Sequence, residues 1–408
     1  MSHCLDKEKK MRIVIAALSA PSQLNGVSRH SMNLVRALLS TRAVTGIHFL
    51  AGEWQREMFR TLRGEMDARL HTHWISLPDA NWSRLAWYYR ELPLIASQFE
   101  ADLVHLTFPA PIASHAFNCP TVLSLHDMYP FDIPQNFGWW RSALARKTAA
   151  HCMKKVDAIA CVSTSTRQLL EGRFPIEARK AVVIPNAVEI QPLRRAGHRP
   201  ISVDTGNFVL CIAQHRCNKN VPLAIRVFER VLQRRLLPAD SRLIVIGIPG
   251  PETKRIQEEI STQKLNGRVL LLSGLSDAEL QWCYQNCMVL LAPSSTEGFG
   301  LPVAEGTLAG CRIVCSDIPA FREVCGEHCS FVGWGGNLIE SYADAIGLAL
   351  AHPRPSGITL PHLSLSNVGR RYMSFYQDVI CSRIPGFDIL RQPEPAADHA
   401  SPVGSHSV

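Results

Sequence analysis

Residues 288–305 read MVLLAPSSTEGFGLPVAE. The continuous apolar run Met288–Ala292 indicates a strand that is buried on both faces, as strands of parallel sheets are. Gly298 and Gly300 follow it, and Pro302 suits the first turn of a helix, where its missing N–H costs nothing. A strand, a glycine-containing turn and a helix are therefore predicted, which is the repeating unit of α/β domains.

The same stretch predicts a binding site. A glycine turn before a helix directs free backbone N–H groups at a ligand, and the helix dipole adds partial positive charge, so both favour a phosphate. Glu305, one turn inside the helix, can accept hydrogen bonds from a ribose diol, as acidic residues do in dinucleotide-binding folds. Glu297, on the loop itself, would face whatever is attached to the phosphate.

The strand-and-helix pattern occurs twice along the 408 residues. The predicted strands are Met11–Ala17, Ile47–Leu50, Leu103–Leu106, Thr121–Leu125, Ala158–Val162 and Val182–Ile184, then Phe208–Ala213, Leu243–Gly247, Arg268–Leu272, Met288–Ala292 and Ile313–Cys315. Helical patterns between them predict two doubly wound α/β domains. In such sheets ligands bind at the carboxyl ends of the strands, so the cleft between the domains is the expected site.

The predicted domains cover residues 11–190 and 206–365. Gln191–Gly206 contains Pro192, Pro200 and three arginines, and it reads as a linker. Residues 366–382 form a predicted C-terminal helix. Residues 383–408 are rich in Pro, Ser, His and Ala, a composition that predicts disorder.

Further polar residues follow predicted strands. The segment QHRCNKN (214–220) places Arg216 and Lys219 between a strand end and a helix, where two cations can clamp a diphosphate. His215 in the same segment could equally be a packed loop residue. His126 and Asp127 follow the strand Thr121–Leu125 in the first domain, and this strand end should also face the cleft.

Composition excludes several classes of protein. No apolar run reaches about 18 residues, and the first residues are polar, so neither a membrane span nor a secretory signal is expected and the predicted location is the cytoplasm. The net charge of +8 is spread without a basic run, which argues against nucleic-acid binding. No dinucleotide fingerprint is present. The 13 cysteines are scattered without a Cys-x-x-Cys pair, so buried, reduced thiols are expected, with no metal site and no cofactor.

The segment Pro293–Glu305 resembles the signature of the family-4 retaining glycosyltransferases. The similarity continues upstream through Leu275–Leu291, including Ser276–Leu280, and downstream through Gly310, Ser316–Pro319 and Glu323–Val324. It spans roughly residues 11–380. The resemblance implies the GT-B fold, an α/β architecture of two Rossmann-like domains that face each other across a cleft, with the acceptor on the first domain and the nucleotide-sugar on the second.

The resemblance also implies roles for individual residues. Glu297 would contact the transferred sugar and Glu305 the ribose, while His126 would reach the sugar or the reacting centre. Asp127 would orient His126 or cap a turn. The predicted catalytic residues are Glu297, His126, Lys219 and Arg216, and the predicted nucleotide-sugar-binding residues are Glu305, Gly26, Asn25, Gly298, Phe299, Gly300 and Leu301.

Two departures from the family pattern bear on the predicted site residues. By simple spacing Gln214 stands where the family has its phosphate-binding Arg, and we assign that role to Arg216, two residues later. Asn25 stands where the family often has the first of two adjacent glycines. Asn tolerates left-handed backbone better than most residues do, so Asn25 and Gly26 are still predicted to approach the diphosphate.

The resemblance predicts a retaining, metal-independent transfer of a hexose from a UDP- or GDP-sugar to a saccharide or lipid-linked acceptor, in cell-envelope polysaccharide biosynthesis. The alternatives are a sugar phosphorylase or epimerase on the same fold, and a non-catalytic protein that binds a nucleotide-sugar. The aromatic and basic stretches 139–155 and 82–89 favour either peripheral contact with the inner face of a membrane or packing in the core or cleft.

Overall fold

The structure is a computed structural model. It describes residues 11–20, 25–63, 67–78, 81–134, 139–189, 198–203, 206–356 and 358–382, with the backbone alone for Arg63, Asn81, Trp139 and Trp140. Most of the predicted linker and the whole predicted tail, 383–408, lie outside the described residues.

The strands are β1 (Met11–Ala16), β2 (Val44–Gly52), β3 (Leu70–Ile75), β4 (Leu103–Leu106), β5 (Thr121–Leu125), β6 (Ala158–Cys161), β7 (Ala181–Val183), β8 (Phe208–Ile212), β9 (Arg242–Ile246), β10 (Val269–Leu272), β11 (Val289–Ala292), β12 (Ile313–Ser316) and β13 (Ser330–Val332). The helices are α1 (Gly26–Leu39), α2 (Arg60–Arg63), α3 (Asn81–Gln98), α4 (Tyr129–Asp132), α5 (Trp139–Lys155), α6 (Thr164–Arg173), α7 (Pro175–Ala178), α8 (Val221–Gln233), α9 (Thr253–Thr262), α10 (Asp277–Asn286), α11 (Leu301–Leu308), α12 (Pro319–Cys325), α13 (Leu338–Ala351) and α14 (Leu365–Ser382).

The strands form two parallel sheets with the same topology. The first sheet has the order β3-β2-β1-β4-β5-β6-β7 and the second the order β10-β9-β8-β11-β12-β13. In each sheet the order reverses beside the first strand, at β1/β4 and at β8/β11. This reversal is the topological switch point at which doubly wound folds bind ligands. The loops after β8 and β11 therefore leave the second sheet side by side.

Each sheet is covered by apolar clusters on both faces, which explains why its strands are continuously hydrophobic. The last helix, α14, does not stay with the second sheet. Its Tyr372 and Tyr376 are buried in the cluster beneath β1 and α1, and a Cβ on Gly369 would lie 2.1 Å from the Ala37 carbonyl oxygen. The glycine thus permits close packing of α14 on α1. Among the described helices, none is both long enough and apolar enough to cross a bilayer.

The predicted strands are all present, most with ends shifted by one residue. Two strands were not predicted. β3 reads LHTHWI and lies at the edge of its sheet, where half-exposed polar residues replace the apolar run. β13 has only three residues. Both are edge strands, which need less burial than central ones and so give a weaker sequence signal.

Candidate active site

The loop that follows β11 touches the opposite sheet at Gly298. A Cβ on this residue would lie 1.8 Å from the carbonyl oxygen of His126, which directly follows β5. The Gly298 carbonyl accepts hydrogen bonds from Ser163 Oγ at 2.5 Å and Thr166 Oγ1 at 3.1 Å, both from the start of α6. Only glycine fits here, because any side chain would collide with the backbone of the other half of the molecule.

Beside this contact, Lys219 and Glu297 form a half-buried ion pair. The Lys219 ammonium lies 2.6 Å from each carboxylate oxygen of Glu297, and the two side chains are 15% and 9% exposed. Tyr129 from the first half of the molecule donates to Glu297 Oε2 at 3.4 Å and to the Thr296 carbonyl at 3.2 Å. The strands β8 and β11 thus bring together two residues that lie 78 positions apart.

The carboxylate of Glu305 is held by two partners. Tyr284 on α10 donates to Oε2 at 2.7 Å, and the Arg29 guanidinium on α1 lies 3.4 Å from Oε1. Arg29 also donates to Asp277 at 2.9 Å. Burial alone would lower the pKa of Arg29, but the charges of Glu305 and Asp277 raise it above its usual value. A carboxylate has about four acceptor sites, so Glu305 can still accept from a diol.

The start of α11 shows why the glycine motif has its particular form. Gly300 has φ +98°, and a Cβ there would lie 2.8 Å from the Phe321 ring. The first bond of α11 runs from the Val303 N–H to the Gly300 carbonyl, so the N–H groups of Gly300 and Leu301 have no partner within the helix. The Phe299 side chain is buried in an apolar cluster with Val162.

Across the interface, Gly26 opens α1 opposite this motif. A Cβ on Gly26 would lie 3.9 Å from Leu301 Cδ1, an ordinary contact. The prediction that Asn25 uses its tolerance of left-handed backbone is wrong. Asn25 is extended, with φ −138°, and its side chain accepts from the Ser28 N–H as the cap of α1. Asn is present because it caps a helix well, which needs no positive φ.

His126 is a neutral, oriented imidazole. Its Nε2 lies 2.8 Å from the carbonyl oxygen of Thr107, so Nε2 carries the proton and Nδ1 is left as an acceptor. Burial lowers the pKa of His126 to about 4. The edge of its ring meets His30, with 4.6 Å between centroids. His30 in turn contacts Ser124 Oγ at 2.9 Å, which ties His126 to a buried polar network beneath β5.

Asp127 closes the turn that precedes the short helix α4, because its Oδ1 accepts from the Tyr129 N–H at 3.0 Å. This contact supports turn capping over orientation of His126. Burial raises the pKa of Asp127 to about 6, against the opposing charges of Arg216 and Lys219. Arg216 is half-buried in the loop after β8, within electrostatic reach of Asp127.

His215, from the same loop, is buried, and its Nδ1 lies 2.9 Å from Thr253 Oγ1. It is therefore a packed loop residue, which is the possibility that the sequence left open for it.

Three residues of the site were not predicted from the sequence: Arg29, Tyr129 and Tyr284. Each acts through a partner in the other half of the molecule or on another helix, so spacing along the chain does not reveal it. Tyr129 lies three positions after His126, and Arg29 three after Gly26. Their nearness to predicted strand ends and helix starts is the one signal that could have drawn attention to them.

Two family models match the chain. "Glycosyltransferase Family 4" matches residues 24–191 and "Glycosyl transferases group 1" matches residues 198–354, about four fifths of the chain together. The chain belongs to family 4 of the glycosyltransferases. The family predicted from the Pro293–Glu305 motif is thereby confirmed, and this glycosyltransferase has the GT-B arrangement of two parallel-sheet α/β halves.

Named relatives show the range of similarity. The O-antigen chain mannosyltransferase B of Escherichia coli is 22% identical over 78% of this chain and 85% of its own. The serotype-specific mannosyltransferase WbdA of Escherichia coli is 24% identical over 86% of this chain, which spans only 44% of WbdA. The pneumococcal O-GlcNAc transferase GtfA, solved with UDP and GlcNAc, superimposes with a TM-score of 0.63 over 91% of this chain and 99% of its own, at 11% identity. This last likeness concerns the fold alone.

Proposed function

We propose that this glycosyltransferase moves a mannosyl residue, with retention of configuration, from a nucleotide-activated donor to a saccharide or lipid-linked acceptor of the cell envelope. The observation that carries the proposal is the Lys219–Glu297 pair, held at the carboxyl ends of β8 and β11 while Gly298 touches the end of β5. The O-antigen and serotype-specific relatives, both named mannosyltransferases, support the choice of sugar and the context.

The donor would lie mainly against the second half, residues 206–365. Glu305 would accept from the ribose and Glu297 from hydroxyls of the sugar. Lys219 and Arg216, with the N–H groups at the start of α11, would surround the diphosphate. This group gains negative charge as the sugar leaves, and fixed donors in a half-buried site stabilise such charge more than water does. Lys219 can turn one N–H to a phosphate oxygen and keep a second on Glu297, since an ammonium has three donors.

The first half, residues 11–190, would supply His126 and the acceptor. Because Thr107 holds the Nε2 proton, Nδ1 of the neutral ring can accept from a sugar hydroxyl. The low pKa of His126 keeps the ring uncharged at neutral pH, so it adds no positive charge near the anomeric carbon where cationic character develops.

We also propose peripheral membrane contact through α3 and α5, which cover the same face of the first sheet. Trp82, Leu94 and Leu144 are 69%, 65% and 51% exposed, while Trp87 and Tyr88 are buried in the core. The basic residues of α5 are Arg141, Arg146, Lys147, Lys154 and Lys155. Exposed apolar side chains together with cations suit an anionic lipid surface. The side chains of Trp139 and Trp140 lie outside the described residues.

The decisive experiment measures nucleoside diphosphate release from GDP-mannose, UDP-glucose, UDP-N-acetylglucosamine and ADP-glucose, with and without a lipid-linked saccharide. We expect release from GDP-mannose that is lost in Glu297→Ala and kept in Glu327→Ala, an exposed Glu outside the site. Proton NMR of the first product should show the anomeric configuration of the donor. Turnover of another donor alone would overturn the mannosyl proposal. Nucleotide binding without turnover on any donor or acceptor would favour the non-catalytic alternative.

Membrane contact is tested by flotation with vesicles of phosphatidylglycerol or of phosphatidylcholine. We expect binding to the anionic vesicles that weakens with salt, since exposed charges are screened over about 8–10 Å at physiological ionic strength. The double variant Arg146→Glu/Lys147→Glu should lose it. Equal binding to both lipids, or none, would contradict the proposal.

A further inference from the structure

Three cysteines of the second half converge from separate elements. Cys315 lies on β12, Cys325 ends α12, and Cys329 immediately precedes β13. Their Sγ atoms all lie within 4.8 Å of one another. Cys315 and Cys325 are buried and Cys329 is half-buried, so one edge of the cluster can be reached from solvent.

We propose that Cys315, Cys325 and Cys329 form a structural site for a thiophilic d¹⁰ cation, with Zn²⁺ as the representative ion. Thiolates are the soft ligands that such cations prefer. A Zn–S bond of about 2.3 Å places tetrahedral sulfurs about 3.8 Å apart. The observed triangle therefore needs to contract by no more than about 1 Å to hold the ion, and Cys329, at the half-buried edge, is the residue best placed to move.

A fourth ligand can come from beside the cluster. His328 is exposed and directly precedes Cys329. A three-cysteine set leaves one tetrahedral position, which water or the His328 imidazole can fill.

A second pair of thiols lacks these features. Cys287 and Cys311 have their Sγ atoms 3.8 Å apart, but both are buried and no third ligand joins them among the residues that the structure describes. Cys311 Sγ also donates to the Tyr284 carbonyl at 3.0 Å, and Arg354 lies 3.6 Å from it. Cys325 Sγ likewise donates to the Phe321 carbonyl at 3.0 Å, so such a hydrogen bond does not separate the two groups of thiols. A cation at the pair would lie beside a guanidinium and would have only two thiolates, so this pair carries no proposal.

Binding of the ion at the three-cysteine site would join β12, α12 and β13 in the second half of the molecule. α12 carries Phe321, whose ring is in contact range of Gly300, and Glu323, whose carboxylate accepts from the Thr164 N–H across the interface at 2.9 and 3.0 Å. The ion would thus fix the helix that supports the glycine motif from behind. This role is structural and does not depend on the proposed donor or acceptor.

The test uses the full chain, reduced and freed of metal, titrated with Zn²⁺ and separately with Co²⁺ as a spectroscopic probe. We expect one equivalent of each ion per chain, thiolate-to-Co²⁺ charge-transfer bands, and a higher melting temperature with Zn²⁺. Cys329→Ser should weaken Zn²⁺ binding by roughly 100-fold or more, since losing even a residue that only supports a ligand costs roughly 10- to 100-fold. Cys381→Ser, at a cysteine of similar exposure outside the cluster, should bind as the wild type does.

Cys329→His is a second variant that separates loss of the ligand from loss of folding, because it keeps a metal ligand at the same position. We expect it to bind Co²⁺ with weaker charge-transfer bands than the wild type. The proposal is overturned if the reduced wild type binds no Zn²⁺ above the affinity of Cys329→Ser, or if bound Co²⁺ shows no thiolate bands, as binding at surface histidines would. Loss of two thiols to peroxide without any metal binding would make the cluster a dithiol pair, which also overturns it.

Discussion

Replacing Gly298 with Ala tests whether the two halves must meet at this residue for transfer to occur. The Ala Cβ would lie 1.8 Å from the His126 carbonyl oxygen, and real Cβ contacts are essentially never below 3.0 Å. The loop and the end of β5 must therefore separate by about 1.2 Å. Glu297 directly precedes Gly298, so the same shift displaces its carboxylate.

Two independent arguments give a similar estimate of the loss in kcat/KM. The separation weakens the two hydrogen bonds that Gly298 accepts from Ser163 and Thr166, and each is worth about 1 kcal/mol. A loss of about 2 kcal/mol corresponds to about 30-fold in the population of the closed arrangement. Independently, a misplacement of about 1 Å near reacting groups costs about 100-fold in rate. We expect kcat/KM of Gly298→Ala to fall by about 30- to 100-fold.

The assay is steady-state transfer from the accepted donor, with thermal unfolding followed in parallel. The melting temperature should change little, because Gly298 lies between the two sheets and not within either apolar core. Gly172→Ala is the matched control. It lies in α6, the helix that also carries Thr166, and its Cβ would meet nothing within 4 Å. Wild-type kcat/KM in a folded Gly298→Ala protein would refute the inference that this contact is part of the active arrangement.

Three further predictions concern Lys219, Glu323 and His105. Lys219→Ala should lower kcat by about 100- to 1,000-fold, as loss of a donor to developing charge does, while circular dichroism stays native; near-normal turnover would remove Lys219 from the diphosphate site. Glu323→Gln keeps the shape of the side chain but removes the negative charge that caps α6 at the Thr164 N–H. The KM for the donor should therefore rise several-fold, because a helix cap is worth about 1 kcal/mol. An unchanged KM would show that this contact between the two halves does not contribute to donor binding. Burial lowers the pKa of His105 to about 3, so between pH 6 and 4 the unfolded chain binds a proton that the folded chain does not. Stability should therefore fall as pH falls through that window, by about 1.4 kcal/mol per pH unit from this group. Urea unfolding of wild type and His105→Asn should show a shallower loss in the variant, and parallel curves would contradict the assignment.

The central part of the fold was predictable from the sequence for a physical reason. Strands such as Leu103–Leu106 and Thr121–Leu125 are buried on both faces, and their bounds agree with the prediction because burial demands an uninterrupted apolar run. The edge strand Leu70–Ile75 was missed because one side of it has no neighbour, so polar residues such as His71 and His73 are tolerated.

The candidate site likewise contains residues that could be predicted from the sequence and residues that could not. The position of Glu297, Gly298 and Lys219 at the carboxyl edge of the sheet could be predicted, because it follows from the order of strand and turn along the chain. Asn25 is extended and not left-handed, since Asn favours both left-handed turns and helix caps, and here its side chain caps α1 by accepting from the Ser28 N–H. Arg29 could not be predicted as a partner of Glu305, because only the meeting of the two halves brings them together.

The three-cysteine cluster shows what a sequence pattern omits even within one domain. Metal-site patterns assume that ligands are close in sequence, yet Cys315 and Cys325 are separated by the whole of α12. Helix α12 starts at Pro319 beside the carboxyl end of β12 and returns its last residue to the level of Cys315, so the two sulfurs meet because a short helix lies over the strand it follows. Cys329 then joins them because β13 pairs with β12 in parallel, with Ser330 opposite Val314. A ligand set that depends on helix length and strand register in this way has no fixed spacing in sequence, and only the folded chain reveals it.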